Sequence, residues 1–594
     1  MNLDKLDQRS AELDQRVVRI GNCSGYYGDR LSAVRDLLTG DGEPLDYITG
    51  DYLAELTMLI LGRDLMKDPS LGYAKTFVKQ MVDTMGLAKE QGVRIVTNAG
   101  GLNPAALAVK LREIAAEQGL DVAIAHVEGD NVQPRAAELG FEGALTANAY
   151  LGAFGIAAAL TVGADIVVTG RVTDASVVMG PAIAEFGWVR EDFDQLAGAL
   201  VVGHVIECST QATGGNFAGF RTIDTSRRLG LPIAELSADG TAVITKQQGT
   251  GGAVTVDTVT AQLVYEIQGP TYLNPDVAVH LDSLQLEQVG VDRVRISGAQ
   301  GSPPPPTTKV CLNYLGGFRN SFEMMLTGLH IEEKAEWLKR QLEDVLDALP
   351  RRPKEIEWQL DRTDIPDPPT QAAATSMLRL HVKDDDPEIV GRAFTNGAVE
   401  LALASIPGMG LTKLPEAGRM YGYYKAGYLP QADVPHVVVH ADGRREEIPP
   451  PTVTEEPRDL DTSPSGSLDH RWSSSAGGAY RDLPLGHLVY GRSGDKGGDA
   501  NVGVWIPAAH PRRESAYEWL AATLTPARVR ELLPEAKDLD VEVYPLPNLA
   551  GVNVIIHGLL GEGVASSTRT DPQAKALAEW LRARVVSIPE ELLA

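Results

Sequence analysis

The stretch GHVIECSTQATGGNF, residues 203–217, places a histidine, a glutamate and a glutamine at positions 204, 207 and 211. If its beginning continues the apolar helix suggested by FDQLAGALVV (193–202), then His204, Glu207 and Gln211 fall at i, i+3 and i+7 and share one face. A carboxylate beside an imidazole fixes its tautomer and raises its pKa, which suits general acid–base work. The same pair could ligate a divalent metal with Glu128, Asp130 or Asp174, or it could brace a helix against a sheet. Acid–base chemistry is the favoured reading of the three. Cys208 adjoins Glu207 but points to another side of a helix, which argues against a cysteine nucleophile.

Further polar residues follow each of five short apolar runs: RVVRIGN (16–22), PLDYITG (44–50), VRIVTNAG (93–100), DVAIAHVEG (121–129) and ADIVVTGRV (164–172). In an open parallel sheet, ligands bind beyond the carboxyl ends of the strands. Those ends carry Ser24, Asp29 and Arg30; Asp51 and Glu55; Asn98, Gly100, Gly101 and Asn103; His126, Glu128, Asp130 and Asn131; and Arg171 and Asp174. Asn103 is placed to cap a helix beginning at Pro104. Taken singly, each reads as a turn, cap or salt-bridge residue. Gathered on one rim, they read as a ligand site, with Gln211 and Asn216 contributed by the histidine-bearing stretch. Asp29, Asp130 and Asp174 also offer the carboxylates of a metal-dependent hydrolase.

A third stretch, GRSGDKGGDANVG (491–503), is glycine-rich and charged. It lacks the spacing and the Gly-Lys-Ser/Thr ending of a Walker loop. NVGVWI after it reads as a strand, so it is no dinucleotide fingerprint either, and nicotinamide redox chemistry is not expected. Two readings stay open from the residues alone. One is a plain turn between strands. The other is a nest of backbone N–H groups that holds an anion, assisted by Arg492 and Lys496 and flanked by Ser493, Asp495 and Asn501.

These side chains need a scaffold, and the patterning supplies one. Through residue 220, apolar runs alternate with helical stretches such as NPAALAVKLREIAAEQG, which predicts an α/β fold with a parallel sheet covered on both faces. Residues 221–330 are rich in Thr and Val with glycine punctuation, and GTAVITKQQGTGGAVTVDTVTAQLVYEI suggests hairpins. GSPPPPTTKV (301–310) predicts a rigid connector. Residues 331–445 read as an α+β extension, with a helix at IEEKAEWLKRQLEDVLDAL, a strand at TSMLRLHVKD and another helix at PEIVGRAFTNGAVELALASI. The core thus spans 1–450. A Pro- and Ser-rich linker follows at 451–483, and a small α+β unit of ferredoxin-like type occupies 484–594.

The chain has 594 residues, enough for several domains, with 54 basic and 80 acidic residues for a net charge of −26. That sign argues against general nucleic-acid binding but leaves room for a small anionic ligand. Three scattered cysteines suit neither a disulfide framework nor a zinc cage. The polar opening MNLDKLDQRSAELDQR lacks a signal-peptide core, and AYLGAFGIAAALTVGADIVVTG (149–170) reads as a buried helix and strand rather than a span. A cytoplasmic protein with no membrane partner is expected.

GNCSGYYGDR, TNAGGLNP, TGRVTDAS, GHVIECSTQATGGNF, GSPPPPTTKV and GRSGDKGGDANVG occur here in the order they take in the AtuA (acyclic terpene utilisation) family, which the chain resembles over nearly its whole length. The resemblance implies a ferredoxin-like C-terminal domain and a role in branched-chain or isoprenoid acyl-CoA catabolism. Lyase or hydratase chemistry on a CoA thioester would then use His204 and Glu207, with Asp29 and Asp174 as further catalytic candidates. Arg30, Arg171 or the N–H groups of Gly100 and Gly101 would hold the enolate oxygen. CoA would enter as part of the substrate, with no covalent cofactor and a divalent metal as an option. A homo-oligomer is expected. The alternative from another class is a non-catalytic partner of acyl-CoA carboxylase subunits.

Overall fold

The computed structural model describes residues 16–413, 415–456 and 478–593. The polar N-terminal stretch through residue 15, and 457–477 of the expected linker, lie outside the described residues. The chain folds into two compact units, one of 1–313 with 424–594 and one of Tyr314–Tyr423.

The first unit is built on an 11-stranded sheet. Its centre is formed by β1 (Val17–Asn22), β2 (Tyr47–Gly50), β3 (Arg94–Thr97), β4 (Ile124–Glu128) and β6 (Ile166–Thr169), mutually parallel in the order β1-β2-β3-β6-β4. All five coincide with the apolar runs. Such strands carry little alternation because both faces are covered, and every residue of β2 and β6 is buried. On one face, Phe77, Met81, Leu107 and Leu111 of helices Lys75–Gln91 and Pro104–Glu117 pack on Ile48, Ile95 and Ile166. Helices Phe154–Thr161, Ser176–Phe186 and Phe193–Ile206 lie on the sheet as well, the last two apolar nearly all round. β5 (Thr146–Ala149) leaves this sheet and pairs with Val310–Asn313.

Antiparallel strands extend the sheet on both sides. β7 (Pro232–Ser237) and β8 (Ala242–Lys246) continue it beyond β1, as the Thr- and Val-rich composition predicts. Further along, the hairpin reading fails: VDTVTAQL is a helix, Val256–Leu263. Thr255 and Thr258 close a reciprocal capping box at its start, and Val259 and Leu263 are fully buried. Local capping and tertiary burial outweigh the β-propensity of its residues.

Within the second unit, Phe318–Thr327, Thr375–Asp384 and Glu355–Asp361 form an antiparallel sheet. Leu338, Leu342 and Leu346 of helix Ile331–Asp347 and Phe394 of helix Arg392–Glu400 pack on its Met324, Leu378 and Leu380.

The C-terminal domain is a four-stranded antiparallel sheet in the order Tyr490–Lys496, Asp499–Trp505, Gly551–Ile556, Val541–Leu546. Val502, Val504 and Val554 pack on Leu520 and Leu581 of its helices. The glycine-rich stretch is therefore not a long loop. Most of it is ladder, and only Gly497 and Gly498 turn, with Gly497 at φ +67°. The reason for its glycines is steric: the hairpin lies flat on the core, and a Cβ on Gly494 or Gly503 would run into Tyr265 or Val264.

Candidate functional site

The carboxyl ends of the parallel strands converge as expected on one polar rim, and long-range contacts then select among the residues there. At the end of β1, the Asn22 amide donates to the carbonyls of Ser24, Ile206 and Glu207 at 2.9, 2.8 and 2.8 Å, while its own oxygen accepts from Thr49. One side chain thus ties the first strand to the C-terminus of the helix that carries His204. Gly25 permits the approach, since a Cβ there would lie 2.7 Å from the Cys208 backbone. After β2, Asp51 accepts from the Leu53 N–H and from Asn98, whose oxygen accepts from the Tyr52 N–H. After β6, Arg171 reaches Asp174 at 2.7 Å and stacks 4.2 Å from the centre of the Tyr150 ring. Asp130 braces it from below, accepting from the Arg171 N–H and from Asn148.

His204 and Glu207 meet as the helical spacing predicts, with Nδ1 and Oε1 3.5 Å apart. Both ring nitrogens and Glu207 Oε2 are buried without a hydrogen-bond partner among the described residues. The His204 ring lies 4.9 Å from that of Tyr272. The expected electrostatics are reversed. Burial, helped by Lys496, lowers the imidazole to about 4 instead of raising it. Burial and then Asp174 push the Glu207 carboxyl well above the carboxylate range. Burial thus shifts both partners toward their neutral forms, because desolvation exceeds the mutual attraction. Burial and Asp174 likewise raise Asp51, and burial raises Asp174 itself against the pull of Arg171.

The C-terminal domain closes the arrangement. Lys496, the last strand residue before the turn, points its ammonium toward the Tyr272 ring at 5.9 Å and makes no ion pair among the described residues. Its field is nonetheless felt at Glu55, Asp174, His204, Glu207 and Glu266. Arg492 donates to Gln211 and stacks on Tyr265 at 4.2 Å. Lys575 bonds the Tyr265 hydroxyl and lies 3.3 Å from both Glu266 and Asp495. Burial works to raise Glu266, but Lys575 and Lys496 outweigh it and hold it low.

Exposure separates floor from wall. Arg171, His204 and Glu207 keep 2%, 2% and 5% of their side-chain surface open. Glu55, Asp174, Lys309 and Glu266 keep 25%, 25%, 26% and 29%. The polar cluster at the strand ends thus reaches solvent on the side of Glu55, Asp174, Lys309 and Glu266 and is closed at Arg171, His204 and Glu207. Burial acts to raise Glu55 as well, yet Lys309, Arg171 and Lys496 bring it down to about 2.

Several rim residues serve the fold instead. Asp29 accepts from the N–H groups of Gly25 and Arg30, and Arg30 turns away to the Leu229 carbonyl and Asp36. The expectation that Arg30 faces an enolate oxygen does not hold, because its fork is used up there. Ser24 donates to the Tyr26 carbonyl. Asn103 caps its helix through the Ala106 N–H, as predicted. The Gly101 N–H donates to the Asn98 carbonyl, and Gly100 fits tightly under the Thr169 carbonyl. Gly101 is thereby excluded as an oxyanion donor. Asn131 accepts from the Gln133 N–H at the surface. In the C-terminal domain, Ser493 accepts from the Ala578 N–H, Asn501 accepts from that of Glu266, and the Asn216 carbonyl accepts from Arg492. Asp29, Asp130 and Asp174 do not bring ligand atoms together. Among the described residues, the only such trio is Asp540, Glu542 and His557, in the C-terminal domain, where His557 already pairs with Glu542 and with Asp499.

The sequence profile of the acyclic terpene utilisation family protein AtuA matches residues 18–440, and that of the AtuA ferredoxin-like domain matches 483–587. The chain belongs to the AtuA family. No curated protein and no solved structure matches it. Both profiles contribute to the cleft of this AtuA-family protein: the first brings Asp51, Arg171, His204, Glu207 and Lys309, and the second brings Arg492, Asp495, Lys496 and Lys575. In the sequence Glu55 stands out only as one polar residue of a strand end, and Glu266, Tyr272, Lys309 and Lys575 carry no local signal of chemistry. The nearest to one is the position of Lys309 at the end of GSPPPPTTKV. Among the described residues, no helix is long and apolar enough to cross a membrane.

Proposed function

We propose that this acyclic terpene utilisation protein is an enzyme that moves a proton next to the carbonyl of a branched acyl-CoA thioester, in a lyase or hydratase step. The observation that carries the reading is the buried His204–Glu207 pair, with three polar atoms that find no hydrogen-bond partner within normal geometry among the described residues, beside side chains that reach solvent. Buried polar atoms left without partners are costly, and a substrate oxygen or hydrogen that meets them repays that cost. In this reading His204, which burial keeps toward its neutral form, accepts the proton, and Glu207, whose carboxyl burial shifts toward its protonated form, donates one to the departing group. Arg171 and Lys496 face the oxygen on which negative charge develops. The thioester end enters the cleft and the nucleotide part of CoA stays outside. The test is turnover of a panel of branched acyl-CoAs by the intact protein. Glu207→Gln and His204→Ala are each expected to lower kcat by at least about a hundredfold. Unchanged turnover in both variants would refute the assignment, and co-purification of biotinylated carboxylase subunits with no turnover of any acyl-CoA would favour a partner role.

A further inference from the structure

GSPPPPTTKV ends in Lys309 and Val310, and the acid–base reading leaves Lys309 without a task. Its position is built with care. The Lys309 carbonyl accepts from the Tyr150 N–H at 2.9 Å, the Thr308 hydroxyl donates to the Tyr150 carbonyl at 2.6 Å, and Val310 pairs with Ala149 in the adjoining ladder. The backbone at Lys309 is thus locked beside that of Tyr150. Its ammonium nitrogen lies between two tyrosine rings, 5.3 Å from the centre of Tyr150 and 5.4 Å from that of Tyr424. Its acidic partner among the described residues is Glu55, at 3.7 Å. Arg171 stacks on the same Tyr150 ring, and Lys496 is within electrostatic reach. Burial, together with those two cations, outweighs Glu55 and holds the amine below the ordinary lysine range. A lysine that is desolvated, crowded by like charge and partly open to a cleft has the setting of an amine nucleophile.

We propose that Lys309 is the nucleophile of this cleft and that its Nζ condenses with a ketone carbonyl of the substrate to form an imine. The class of substrate follows from the chemistry. Attack on a thioester would end in a stable amide, whereas a ketone, such as the 3-oxo group of an acyl thioester or of a 3-keto acid, gives a reversible adduct. The nitrogen lone pair forms the C–N bond, the π pair of the carbonyl moves onto its oxygen, and one proton of the attacking amine passes to that oxygen to make a hydroxyl. That hydroxyl takes a proton from a protonated carboxyl of the floor and leaves as water, and the nitrogen keeps the positive charge of an iminium ion. Glu55 and the two tyrosine faces stabilise that cation. Loss of the adjacent C–H proton to His204 then gives an enamine. Return of a proton to that carbon and addition of water give back the ketone and the free amine by the reverse steps, so this sequence by itself exchanges the hydrogen next to the carbonyl, and the enamine is the activated species on which a lyase or hydratase step draws. This inference rests on the reading of the cleft as a proton-transfer site, of which it names the substrate class.

Two measurements on the intact protein test it. The first needs no substrate: limiting acetic anhydride at pH 7, with peptide mass mapping. Lys309 is expected to be acetylated at least about tenfold faster than exposed lysines such as Lys354 and Lys537. Reactivity equal to or below theirs overturns the proposal. The second is reduction with cyanoborohydride in the presence of acetoacetate or acetoacetyl-CoA. A mass increase of the probe minus water plus two hydrogens, mapped to Lys309 and lost in Lys309→Arg, is expected. Rapid acetylation with no trapped adduct from either probe overturns the imine step. Lys309→Arg keeps the charge beside Glu55, so full turnover in that variant would show that only charge is needed. Loss of turnover in Glu207→Gln with an ordinary Lys309 would leave the proton-transfer reading standing and remove this one. Trapping at Lys309 with active Glu207 and His204 variants would do the reverse.

Discussion

At the scale of single residues, the cleft is governed by desolvation. Glu207 and His204 stand 3.5 Å apart, close enough to pair as ions, yet burial shifts each toward its neutral form. The two have consequences of opposite sign for stability. Glu207 is raised in the folded chain, so folding binds a proton there, and stability falls as pH rises from the ordinary glutamate value toward the folded one. Glu207→Gln removes that penalty. It is expected to equal the native protein in stability near pH 4 and to become the more stable of the two as pH rises toward neutrality, even as turnover is lost. His204 is lowered to about 4, so stability is lost as pH falls from 6.5 to that value, and His204→Gln should flatten this part of the acid limb. Urea unfolding followed across pH 4–8 measures both effects. Parallel curves for native protein and Glu207→Gln would mean that Glu207 is ionised in the fold.

Among the elements, two short pieces hold more of the site than their length suggests. Asn22 bonds the Ile206 and Glu207 carbonyls at the end of the His204 helix and the Ser24 carbonyl in the turn after β1, joining β1 to residues nearly two hundred positions away. The hairpin of the C-terminal domain rests its glycines on Val264 and Tyr265, which orients Arg492 and Lys496 toward Gln211 and Tyr272. A side chain at either glycine must push the hairpin off the core. Gly494→Val is expected to cost about 1–3 kcal/mol and to cut turnover, whereas Gly558→Ala, at an open turn of the same domain, should leave turnover unchanged. Thermal melts alongside the acyl-CoA assay distinguish the two. Equal activity in both variants would mean that the hairpin's seating is irrelevant to the site.

For the whole molecule, the C-terminal domain has its own apolar core but is not an independent appendage. Trp505 donates to Asp257, Asn548 to the Leu281 and Leu284 carbonyls, and Lys575 bonds Tyr265. A chain ending after residue 456 is expected to lose both stability and every response to acyl-CoAs in a thermal-shift assay. The full chain should gain about 2.7 kcal/mol at a hundred times Kd, and Lys496→Ala should reduce that gain without the loss of stability. An undiminished response from the truncated chain would place ligand binding wholly in the core.

Much of this was legible in the order of the residues. Five apolar runs without alternation required strands buried on both faces, and that dictated a parallel sheet with polar carboxyl ends. Helical spacing joined His204 to Glu207, and Asn103 before Pro104 marked a helix start. These are local facts, set by periodicity and by the backbone's need for capping. The reversed protonation of the pair is not local, because it depends on how many side chains crowd each group after folding. Nor is the membership of the cleft: Arg30 and Asp29 share its strand ends but turn away, while Lys309, Glu266 and Lys575 arrive from later segments. The glycine-rich stretch makes the contrast plainest. Its composition permits a nest or a turn, and only the surface of Val264 and Tyr265 against it decides for a flat hairpin. Sequence patterning determined the scaffold and its rim. Desolvation and close approach between distant segments, which exist only in the folded chain, decided which rim residues became a site.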